Sequence, residues 1–132
     1  MIVVSDTSPV LALAAIAQLD LLRLLFVDVI MPEAVDREIA HKNRAFLPLP
    51  SWLRSQRASD RTLVNSLLVD IDLAEAEAIA LAIELKADLL LIDERLGREV
   101  AAAKGASMHG PHWRVVGGQA ARSRVGGQTA AR

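Results

Sequence analysis

The sequence predicts an α/β domain in which a parallel sheet is covered by helices on both faces. Two observations predict it. Short apolar runs at Ile2–Ser5, Phe26–Met31 and Leu89–Ile92 have strand length and lack polar alternation, as strands buried on both faces do. Each run is followed by a longer stretch with a helix-start signal, and strands that alternate with helices build parallel sheets. At 132 residues the chain has the size of one domain, able to bury about two-thirds of its unfolded surface without disulfide or structural metal.

In chain order, Ile2–Ser5 is the first strand. Ser8-Pro9 reads as a helix start, with the hydroxyl as cap and the proline as first helical residue. That helix runs through Ala17, and a second covers Leu19–Leu25. Phe26–Met31 is a strand, and Pro32 opens a helix over Glu33–Lys42. Residues 43–57, with Pro48, Pro50 and Trp52, read as irregular. A helix covers Asp60–Leu68. Asp72 caps a long helix, Leu73–Lys86, which leads to the strand Leu89–Ile92. Glu94–Lys104 is helical and ends at Gly105.

Composition narrows the function classes. There is no cysteine, which removes disulfide frameworks and thiol chemistry and suits a reducing cytoplasm. The apolar stretch Pro9–Ala17 is closed by Gln18, Asp20 and Arg23, far short of the ~20 residues of a membrane span. Asp6 stands where a signal peptide would carry basic residues. Charge is unevenly spread: residues 1–99 balance to −6, whereas residues 100–132 carry five basic residues and no acid. The near-duplicates "RVVGGQAAR" and "RVGGQTAAR" in that segment have little to bury, so residues 117–132 read as a flexible basic tail.

The carboxylates carry the chemistry. In an open α/β sheet, ligands collect at the carboxyl ends of the strands, where Asp6 and Asp93 fall. Either could be a simple helix cap, although Thr7 or Ser8 can serve the first helix in place of Asp6. On the helix after Asp72, a 100° step places Glu77 and Glu84 together on one face, as solvated acids, and Glu75 opposite them beside Ile79 and Ala82. A carboxylate there is costly unless paired; its ordinary explanation is a capping box with Asp72. Glu38 borders the stripe set by Val35 and Ile39, where an ordinary boundary glutamate also fits. Four such acids converging on one rim would repel one another. A divalent cation with oxygen ligands, Mg²⁺ or Mn²⁺, resolves that repulsion, and His41, His109 and His112 show no zinc-ligand spacing.

"VSDTSP", "PEAVDREI", "LAEAEAIALA" and "ADLLLIDERLGREVA", in this order over residues 1–105, resemble the PIN-domain superfamily, nearest to prokaryotic proteins related to VapC-type toxins. The resemblance implies a three-layer α/β/α fold over residues 1–116, with a central parallel sheet of four to five strands. It implies a metal-binding, catalytic quartet of Asp6, Glu38, Glu75 and Asp93, with Ser8 as supporting hydroxyl. The implied activity is Mg²⁺- or Mn²⁺-dependent hydrolysis of RNA, in a homodimer paired with a small antitoxin. Arg95 and Arg98, just after Asp93, could hold the RNA backbone; ion pairs with Glu94 or Glu99 are the ordinary alternative.

Two departures stand out. Glu75 occupies a place where the wider superfamily more often has aspartate, which changes reach but not ligand type. After residue 105 the family pattern of a "V-x-G-T" strand and an apolar helix is missing, as a shifted reading frame near residue 106 would leave it. A haloacid-dehalogenase reading fails because position 8 is serine, and a receiver domain lacks its acid pair at the first strand. The rival from another class is a non-catalytic PIN-fold module that pairs with a partner and cuts nothing.

Overall fold

Val3 and Val4 are both fully buried, and a strand covered on both faces takes partners at both edges. The structure, a computed structural model, describes residues 1–26, 28–42, 44–109 and 114–116. Its strands are β1 (Ile2–Ser5), β2 (Asp28–Pro32), β3 (Leu53–Gln56), β4 (Leu89–Leu91) and β5 (Val115–Val116). They form one parallel sheet in the order β3-β2-β1-β4-β5, with β1 at its centre. The helices are α1 (Thr7–Ala15), α2 (Asp20–Leu25), α3 (Glu33–Lys42), α4 (Arg61–Leu67), α5 (Leu73–Glu84) and α6 (Arg95–His109), with a 3₁₀ turn at Arg44–Phe46.

Alternation along the strands builds the two outer layers. Val29 and Met31 of β2 pack with Val10, Leu22, Val35 and Ile39 of α1, α2 and α3. Val4, Ile30 and Leu90 point the other way, into a core with Val64, Leu67, Ile79 and Ala101 of α4, α5 and α6. The fold is the three-layer α/β/α arrangement that the sequence predicts.

Several elements differ from expectation; among them, β2 covers Asp28–Pro32 and not Phe26–Met31, α1 ends at Ala15, and a short strand, β5, lies at Val115–Val116. α1 begins at Thr7, so Asp6 holds the cap position and Pro9 is the third helical residue. "LRSQ" is an edge strand within the segment read as irregular; only Leu53 of it is buried, so it lacks the apolar run of a central strand. α5 stops at Glu84, two residues early. α6 passes Gly105 and continues to His109. The tail at 117–132 lies outside the described residues, as does His112. Among the described residues, no helix is long and apolar enough to cross a membrane.

Glu77 reverses its expected placement. It is 2% exposed, because α5 is covered on every side: each residue from Ala74 to Ala82 is buried. The face opposite Glu75 therefore meets protein and not solvent. Glu77 Oε1 accepts the Ala34 N–H at 3.0 Å, satisfying a free donor at the start of α3, and Oε2 pairs with Arg61 at 2.9 Å. One carboxylate thus joins α5 to α3 and α4. Removing one partner of a buried pair leaves an uncompensated charge, so Arg61→Met should destabilise the domain by about 3 kcal/mol in urea unfolding. Adding Glu77→Gln to that variant should recover part of the loss, since the buried charge goes with it.

Candidate active site

The chain leaves β1 toward β2 and β3, then returns to the other side of β1 at β4. The strand order reverses between β1 and β4, and at such a point a crevice opens outside the carboxyl ends of the strands. Asp6 follows β1, and its backbone N–H donates to the Leu91 carbonyl at 3.0 Å, tying the ends of β1 and β4 together. Asp93 is two residues beyond Leu91 and is half-buried.

Asp6 is 5% exposed and stands at the cap position of α1, yet its side chain makes no capping hydrogen bond. Its Oδ1 is buried without a partner. Burial foremost pushes the carboxyl up to about 7; the charges of Glu75, Asp72 and Glu38 add to the rise, and the Thr7 backbone N–H opposes it.

Glu75, 6% exposed, divides its two oxygens between two tasks. Oε1 accepts the Asp72 N–H at 3.4 Å while Asp72 Oδ1 accepts the Glu75 N–H at 2.8 Å, so the capping box is formed. Oε2 is buried with no partner. Its carboxyl is also raised, by burial first and then by Asp72, with smaller contributions from Glu94 and Glu38. Gly97 makes room for it. A Cβ at position 97 would stand 3.1 Å from Glu75 Oε2 and 3.0 Å from Ile92 Cγ2, so a larger residue would push these side chains aside by a few tenths of an ångström.

Glu38 is half-buried on α3, and its Oε1 accepts the Thr7 hydroxyl at 3.2 Å. Ser8, the expected supporting hydroxyl, is exposed. With Asp6 at the cap position and helix from residue 7, the side chain turned toward the acids is that of Thr7. Arg95 pairs with Glu99 at 3.1 Å and Arg98 donates to the Asp93 carbonyl. The ordinary reading of Arg95 is the one observed.

The structure therefore groups Asp6, Glu38 and Glu75 electrostatically and places Asp93 at the adjoining strand end. Among the described residues, however, no three acids or histidines stand close enough to hold a metal ion in this arrangement. The donor chemistry still suits a hard cation: oxygen ligands, with two buried carboxylate oxygens that lack a hydrogen-bond donor. Asp72, Thr7 and Gly97 belong to the site beyond the sequence reading. Asp72 was legible only as a cap, and no periodicity marks Gly97.

Residues 2–116 match the model of the PIN-domain family. The chain is a PIN-domain protein. Comparison with curated proteins and with solved structures finds no match. The PIN match runs ten residues past the change of texture near residue 106 and ends with β5. PIN domains are usually nucleases that act on RNA with divalent metals, so a nuclease-type function is the general reading for this member.

The Asp6 carboxyl gives a signed pH dependence. Its folded value near 7 lies above the unfolded 3.8, so across this window the native state holds a proton that the unfolded state has lost. The contribution is fully present below the unfolded value and is lost as pH rises through 7. In EDTA, stability relative to Asp6→Asn should fall by up to about 4 kcal/mol between pH 4 and 8, read by chemical denaturation. A parallel dependence in Asp6→Asn would contradict this.

Proposed function

We propose that this PIN domain is an endoribonuclease that hydrolyses RNA phosphodiester bonds with Mg²⁺ or Mn²⁺ held by Asp6, Glu38, Glu75 and Asp93. One observation carries the reading: two buried carboxylates at the strand-order reversal, each with an oxygen that no donor satisfies. A structural acid in this protein looks different. Glu77, two residues from Glu75, has a donor for each of its oxygens.

The bound cation would activate a water and offset charge developing on the scissile phosphate. The chain's own residues prepare for it. Asp6 keeps its side chain out of the α1 cap, Thr7 orients Glu38 through its hydroxyl, and Gly97 leaves space for the Glu75 carboxylate. Arg98 braces Asp93 through its carbonyl. Metal binding is expected to be coupled to movement of Glu38 and Asp93.

The cellular role that fits is the toxin of a toxin–antitoxin pair in the cytoplasm, opposed by a small antitoxin protein. Exposed Ile16, Leu24 and Leu25 on the α1–α2 side support pairing with a second copy. A second reading, a non-catalytic module that binds an antitoxin-like partner, is favoured by the open spacing of the acids.

Incubation of purified protein with a mixed RNA pool separates the two. Cleavage is expected with Mg²⁺ or Mn²⁺, abolished by EDTA, and reduced at least about a hundredfold in Asp6→Asn, since even residues behind a ligand cost 10–100-fold. Intact RNA after incubation with folded, Mn²⁺-saturated protein would establish the non-catalytic module.

A further inference from the structure

An open cleft of about 820 Å³ runs between the outer half of α3 with its following 3₁₀ turn and the start of α5. Arg37, His41, Lys42 and Arg44 line one side of it. Glu38 and Asp72 line it too, and both act on the buried Asp6 carboxyl. The cleft therefore sets basic side chains beside Glu38 and Asp72.

We propose that this cleft is the track for the RNA strand, with Lys42 and Arg44 holding backbone phosphates on one side of the scissile bond. The assignment rests on the nuclease reading and specifies where that site takes its substrate. Four observations support it. The four basic side chains fall within eight residues of sequence and are exposed. Among the described residues, Lys42 and Arg44 form no ion pair, whereas Arg61 is committed to the buried carboxylate of Glu77. Arg37 has only a loose, solvent-exposed contact of 3.6 Å with Glu33. The rest of the lining includes the small side chains of Ala34, Ala40 and Ala74, which leaves room for a backbone to lie along it.

The arrangement also resolves a charge conflict. Sixteen acids give the chain a net charge of −1, and the site itself is acidic, so a polyanion needs a local cationic guide to approach it. Phosphate neutralisation releases counterions, which makes the contribution of each cation readable as a salt slope. Neither Arg95 nor Arg98 lines the cleft; Arg95 pairs with Glu99 and Arg98 donates to the Asp93 carbonyl.

The test uses full-length protein carrying Asp6→Asn, so that RNA stays intact, and fluorescence anisotropy with a labelled single-stranded RNA across a salt series. Adding Lys42→Ala and Arg44→Ala should weaken binding roughly tenfold near physiological salt and lower the slope of log K against log salt by about 1.4. Adding Arg95→Ala should change neither. The same pair of substitutions in the wild-type background should slow cleavage mainly through KM. Affinity and slope left unchanged by Lys42→Ala and Arg44→Ala, with RNA cleavage by the wild type, would overturn the cleft and leave the nuclease standing. Loss of RNA binding in the cleft variant, with no cleavage by wild type, would retain the cleft and remove the nuclease. Preferential displacement of the RNA by an acidic polyglutamate peptide would overturn RNA as the occupant.

Discussion

Two carboxylates, Asp6 and Glu75, are buried with raised affinity for protons, the charge of Glu75 adding to the rise at Asp6, and no basic side chain among the described residues pairs with them. An unpaired buried charge is among the most expensive things a small domain can contain. Everything around them holds that arrangement in place. β1 and β4 are locked at their ends by the Asp6 N–H to Leu91 carbonyl bond, the capping box fixes one oxygen of Glu75, and glycine at 97 brings α6 against the other.

Comparison of the two buried glutamates on α5 separates stability from function within a single helix. Glu77 is as deeply buried as Glu75, yet its oxygens meet the Ala34 N–H and the Arg61 guanidinium. It joins three helices and asks for nothing further. Glu75 sits two residues away with an equivalent oxygen left over. That unpartnered oxygen is the feature on which the proposed cation site rests. The arginines differ in a similar way: Arg61 is held by the buried Glu77, whereas Lys42 and Arg44 beside the α3 cleft form no ion pair among the described residues.

Much of the architecture was legible because apolar runs and helix starts are local signals. The buried runs at β1, β2 and β4 and the proline before α3 appear where the sequence places them. β3 was not legible, since an edge strand with one buried residue carries no apolar pattern. Gly105 did not stop α6, and glycine in a helix costs only about 1 kcal/mol. Glu77 was misplaced for a different reason. Helical periodicity tells which residues share a face, but not whether the opposite face meets water or another layer. At the site, Asp6 and Glu75 could be identified from strand ends and a carboxylate on a buried face. Thr7 in place of Ser8 could not, because it depends on where α1 begins, and Gly97 depends on how closely two helices pass.

Binding of Mn²⁺ measured by calorimetry below pH 7, in buffers of different ionisation heat, tests the central claim most directly. If the raised carboxyls of Asp6 and Glu75 are ligands, a cation must displace their protons. The account predicts binding by the wild type with release of protons into the buffer, and loss of both in Asp6→Asn and Glu75→Gln. Equal affinity in these folded variants, or binding without proton release, would contradict it.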